Sequence, residues 1–197
     1  MFELRPYQER AVAHVLDRRR TETRRLLVVA PTGAGKATIA AELALQLAIA
    51  EERVLFVAHR RELILQAYSR FADHGVPERE LGVIMAGDRR RRPRALVQIA
   101  SIDTLRARAR PEAGFVMVDE CHRGLAKSYR ALEQHYPNAM HVGLARSSQT
   151  HVSIRMWNIP RTLSSTCVRV ERSRRVRRRL LTSGSTRRSV VPRSAES

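Results

Sequence analysis

Apolar residues follow two rhythms along this chain. In "RPYQERAVAHVLDRRR" they fall at Ala11, Val12, Val15 and Leu16, the stripe of an amphipathic helix whose polar face ends in three arginines. Elsewhere the apolar positions are nearly consecutive, and runs at 26–30, 54–58, 81–85, 96–100, 115–120 and 140–144 predict buried strands. Between them the pattern predicts helices at 38–50, 62–73, 102–108 and 128–135, the second ended by Gly75 and Pro77. "GDRRRRPR" reads as a solvated charged loop. Continuous apolar strands alternating with helices imply an α/β fold, a parallel sheet with helices on both faces. Ligands of such sheets bind beyond the carboxyl ends of the strands.

The rhythm fades after Leu144. Ser and Thr number 8 in residues 1–146 and 16 in residues 147–197. The first part holds 25 basic and 17 acidic side chains, the second 12 and 2. Residues 1–146 are therefore expected to form one domain. Residues 147–197 are expected to be a basic, Ser- and Arg-rich tail, disordered because short apolar pairs cannot offset its ordering entropy. A short extra element around "SIRMWNIP" and an out-of-frame translation product compete with that reading, and the out-of-frame product is the favoured one.

A net charge of +18 on 197 residues points to nucleic acid as a partner, since arginine neutralises phosphates and releases counterions. There is no apolar run of about 18 residues to cross a membrane, and "MFELRPYQER" lacks the order of a signal peptide, so a cytoplasmic protein is expected. Cys121 and Cys167 are expected as free thiols, and adjacent Cys121-His122 is not spaced like a metal site.

In "APTGAGKA" the strand, turn and helix have the order of a phosphate-binding loop. Gly33 and Gly35 let backbone N–H groups converge on phosphate oxygens, and the following helix adds a favourable dipole. Lys36, one of two lysines against 35 arginines, can reach the β- and γ-phosphates. Ala37 stands where such loops carry the Ser or Thr hydroxyl that ligates Mg²⁺. Thr38 is turned about 100° further around the helix and is expected to point elsewhere. "VMVDECHR" adds two acids at a strand's carboxyl end. Asp119 could hold a metal through water, and Glu120 could act as a general base on an attacking water.

Taken together, "RPYQ", "APTGAGKA", "AHRREL", "ASIDTL" and "DECHR" occur in the order and spacing of superfamily 2 DEAD/DEAH-box helicases. The chain resembles the DECH branch, which includes type III restriction enzyme motor subunits and related DNA-repair helicases. The resemblance covers about residues 1–144 and implies the first of two RecA-like lobes, with ATP and Mg²⁺ as cofactors. DNA, rather than RNA, is the expected track, and a nuclease or methyltransferase subunit accompanies some intact relatives. It implies that Gln8 contacts the adenine edge with Arg5 and Tyr7 nearby. It implies that Pro31, Thr32, Gly33, Ala34, Gly35, Lys36 and Ala37 form the ATP site. His59, Arg60, Ser101 and Thr104 would touch the nucleic-acid backbone. Lys36, Asp119, Glu120 and His122 would serve catalysis, with Asp119 holding Mg²⁺ through water.

After "HVGL" the family pattern expects Thr-Ala-Thr-Pro, a linker and a second RecA-like lobe carrying an arginine finger. Here "HVGL" runs into "ARSSQTHV". The expectation is a truncated or frameshifted motor that binds ATP weakly and turns it over poorly. The alternative is a non-catalytic basic module that binds nucleic acid.

Overall fold

The computed structural model describes residues 3–21, 23–107, 110–120, 126–147, 152–156 and 167–170. Six parallel strands form most of one sheet: β1 (Arg25–Pro31), β2 (Val54–Ala58), β3 (Leu81–Ile84), β4 (Val97–Ser101), β5 (Phe115–Val118) and β6 (Met140–Ser147). Two antiparallel strands, β7 (Val152–Met156) and β8 (Cys167–Val170), complete it, and the spatial order is β3-β4-β2-β5-β6-β1-β7-β8. Five helices follow the expected periods: α1 (Pro6–Arg19), α2 (Lys36–Ile49), α3 (Arg61–His74), α4 (Ile102–Ala107) and α5 (Ala126–His135).

Parity along the strands sorts the core into two layers. Val28, Phe56, Ile99, Met117 and Leu144 face a cluster that includes α1, α2 and α3. Leu55, Val57, Ala100, Val116 and Val118 face a second cluster with Leu105 of α4 and with Leu132 and Tyr136. Both faces of the sheet are thus covered, which is why all five β2 residues are buried and none of them is polar. Phe71 of α3 meets Phe56 edge-on, centroids 5.3 Å apart. Burying such a side chain is worth about 1.5–3 kcal/mol.

The expected helices and the six parallel strands lie within a few residues of where periodicity put them. The tail differs. β6 runs to Ser147, opposite Pro31 of β1, and β7 pairs with β1 from its other side. Val152, Ser153 and Ile154 are almost wholly buried. Part of the segment expected to be disordered therefore adds two strands to the sheet. Short apolar stretches here obtain through pairing with β1 the hydrogen bonds they could not supply locally.

The charged loop after β3 also departs from expectation, because only alternate arginines are solvated. Arg89, Arg91 and Arg94 are exposed, whereas Arg90 and Arg92 are half-buried. Arg90 grips Asp88 through Nε–Oδ1 at 3.0 Å and Nη2–Oδ2 at 2.6 Å, and its guanidinium lies 4.5 Å from the centre of the Tyr68 ring. Arg92 donates to the carbonyls of Glu78 and Leu81. No helix among the described residues is long and apolar enough to cross a membrane.

Candidate functional site

The turn between β1 and α2 is built by two glycines at φ +73° and +77°, a region that side chains resist. The Ala34 N–H donates to Pro31 O at 3.1 Å and closes the turn. The N–H groups of Lys36 and Ala37 open α2 and have no acceptor within the helix. Backbone donors and a helix dipole thus point to one place beyond β1.

α1 braces this turn from below. The Tyr7 hydroxyl and the Gln8 amide both donate to Ala34 O, at 2.9 and 3.1 Å. Gln8 Oε1 accepts the Arg5 N–H at 2.9 Å. Both polar ends of buried Gln8 are therefore engaged inside the protein in this structure, and a Cβ on Gly35 would run into its amide. Arg5 is exposed and Tyr7 buried.

Lys36 Nζ donates to Ala30 O at 3.2 Å and Pro31 O at 3.4 Å. Burial holds its pKa below the ordinary lysine value, against the upward pull of Asp119 and Glu120. Asp119 follows β5, its N–H anchored on Val57 O at 2.9 Å. Burial raises its pKa, and the adjacent Glu120 charge adds to the rise. Glu120 sits at φ +49°, unusual for a non-glycine residue. Its N–H donates to Asp119 Oδ1 at 2.9 Å. Its carboxylate faces His59 Nε2 at 3.8 Å.

Ala37 and Asp119 line the same cavity, about 480 Å³, which continues along α3 past Gln66 and Arg70. The position lacking a hydroxyl therefore opens on the same cavity as Asp119. Thr38 Oγ1 lies instead close to Gly35, about van der Waals distance from where a Cβ would stand. No three His, Cys, Asp or Glu side chains converge among the described residues. One acid beside a glycine turn at a helix N-terminus suits Mg²⁺, which keeps several waters and shares its site with phosphates.

Of the residues expected at nucleic acid, Arg60 is exposed, His59 and Ser101 are half-buried, and Thr104 is buried. His59, Arg60 and Ser101 share the carboxyl edge of β2 and β4. His122 and Cys121 lie outside the described residues. One residue escaped the sequence reading. β6 lies between β1 and β5, so exposed Arg146, paired with Ala30 one residue before the strand's end, lies between the turn and the acids. Strand parity places it with Leu144 on the side of α2, and its charge opposes that of Lys36. The signal was an arginine at the end of an apolar run, hidden because the fading pattern assigned it to a domain boundary.

Comparison with known proteins agrees with this architecture. Residues 1–145 match the family described as type III restriction enzyme, res subunit. The UvsW helicase of bacteriophage T4 superposes with a TM-score of 0.63 at 25% identity over 75% of this chain. The Pyrococcus furiosus Hef helicase domain gives 0.57 at 24% over 75%. The type ISP restriction-modification enzyme LlaGI gives 0.56 at 16% over 76% and supports the fold alone. A 51.5 kDa protein of a Lactococcus phage is 27% identical over 117 residues, 59% of this chain. The chain spans 53% of the UvsW chain and 23% of the phage protein. Its fold is that of a RecA-like helicase lobe, and the chain belongs to the type III restriction enzyme res subunit family.

Proposed function

We propose that this chain is the nucleotide-binding lobe of a superfamily 2 DNA translocase, one that binds ATP with Mg²⁺ and turns it over poorly. The observation that carries this reading is the shared cavity of Ala37 and Asp119, beside a left-handed glycine turn that presents free helix N–H groups. In this reading residues 32–37 hold the phosphates through backbone N–H groups, and Lys36 leaves its two carbonyl partners to neutralise them. Asp119 would hold Mg²⁺ through water, and Glu120 would take a proton from the attacking water. When bound, Mg²⁺ would supply neutralisation of the phosphate charge. His59 touches Glu120 and follows β2 directly, so it links the strand-end nucleic-acid surface to the hydrolytic acid.

Lys36→Ala tests the nucleotide site. ATP affinity should fall by at least about tenfold, the weight of one charge-assisted contact. Unchanged binding by isothermal calorimetry would overturn the assignment of the turn.

A further inference from the structure

We propose that Arg89, Arg91 and Arg94 form a preorganised row of phosphate contacts, extending the nucleic-acid surface around the β3 edge of the sheet. This rests on the reading that the chain binds nucleic acid.

β3 is an outer strand, and the chain returning from it lies along its free edge, with Val83 N–H donating to Arg90 O at 2.9 Å. Five arginines and one aspartate occupy residues 86–95. A purely solvated run needs no fixed shape, yet this one is fastened repeatedly. Asp88 accepts the Arg90 N–H at 2.9 Å as well as its guanidinium. Arg92 O accepts from the Gln98 amide at 2.7 Å and from Ala95 N–H at 3.1 Å. Asp88 is engaged by Arg90, and no carboxylate among the described residues pairs with Arg89, Arg91 or Arg94.

The alternation has a geometric result. With 90 and 92 fastened inward, 89 and 91 point outward, separated by no more than about 7 Å of chain. That separation suits successive phosphates on one strand. The row is also continuous with the strand-end surface. Arg61, at the start of α3 and next to Arg60, donates to Ala86 O at 3.4 Å. Arg60, Arg61, Arg89 and Arg91 are all exposed along this margin. Edge protection alone would be served by any charge, without the inward arginines.

The experiment titrates salt against the affinity of the full chain for a random-sequence DNA duplex. Each neutralised phosphate contributes about 0.9 to the slope of log K against log salt, so Arg89→Gln, Arg91→Gln and Arg94→Gln together should flatten it by about 2.7. The melting temperature should not move, since the three side chains are exposed. Asp88→Ala separates organisation from net charge. It raises the net charge by one but frees Arg90, so a preorganised row predicts weaker DNA binding. Stronger binding by Asp88→Ala, or an unchanged slope in the triple variant, overturns the proposal. So does an equal loss of polyglutamate binding in the triple variant, which would make this a patch for acidic proteins. Absence of any DNA binding by the unaltered chain would instead sink the underlying nucleic-acid reading.

Discussion

Ala37, in the first turn of α2, and Arg146, near the end of β6, both lie beside the glycine turn after β1, one offering no hydroxyl and the other a charge. Ala37→Thr should restore a hydroxyl on the wall shared with Asp119. ATP affinity should then rise several-fold in Mg²⁺ and not at all in EDTA, as measured by fluorescence titration. Equal affinities in both would show that residue 37 does not face the metal. Arg146 should act on the terminal phosphate, because its strand ends between the turn and the acid pair. Arg146→Gln should weaken ATP by about tenfold, the worth of a hydrogen bond to a charged group, and leave ADP nearly unchanged. Equal effects on ATP and ADP would show that the arginine is not near the third phosphate. The glycine turn was legible in sequence because its pattern is local, a few residues long and tied to one strand-helix junction. Arg146 was not, because its meaning comes from its neighbour β1, more than a hundred residues away in the chain.

Among the elements, those with uninterrupted apolar runs were readable, since β2 and β5 are buried on both faces and tolerate nothing else. β7 was raised only as a competing short element around "SIRMWNIP" and β8 not at all, because their few apolar residues mix with Arg and Ser and become strands only through a partner. The loop after β3 was misread for a similar reason: the aspartate and the tyrosine that fasten Arg90 lie 2 and 22 residues away. α5 shows how such a contact gives a measurable pH dependence. His141 on β6 is buried, and its Nε2 lies 2.9 Å from Tyr136 O, just beyond the helix. Burial holds the His141 pKa below its ordinary value, Arg25 lowers it further, and the Tyr136 carbonyl only partly opposes them. The unfolded chain therefore takes up the proton first. Stability is full above the ordinary histidine range and is lost as pH falls from about 6.5 toward the lower folded value. His141→Gln keeps an N–H donor and cannot titrate. Its melting temperature should fall less between pH 7 and pH 5 than that of the unaltered chain, and equal falls would place the acid sensitivity elsewhere.

At the scale of the molecule, the question is what residues 147–197 contribute. They hold 12 basic and 2 acidic side chains, and they also cover the β1 edge. Two truncations separate these contributions. Removal of 171–197 leaves β7 and β8 in place but takes nine arginines with it. DNA affinity should drop and its salt dependence flatten, while the melting temperature stays where it was. Removal of 147–197 also strips β7 from β1, the strand that leads into the glycine turn. It uncovers Val28, buried Val152 and Ile154 are lost, and a row of backbone donors and acceptors opens to solvent. The shorter chain should still unfold cooperatively, because the two helix-covered cores lie within residues 1–146 apart from those two residues. Its melting temperature should be lower by several degrees, and it should aggregate on heating through the exposed edge. A domain that ends at residue 146 and owes nothing to residues 147–197 predicts identical melting curves for both truncations. If differential scanning calorimetry finds them identical, β7 is an accessory to the sheet; a lower transition confined to the shorter chain makes it part of the fold that holds the glycine turn in place.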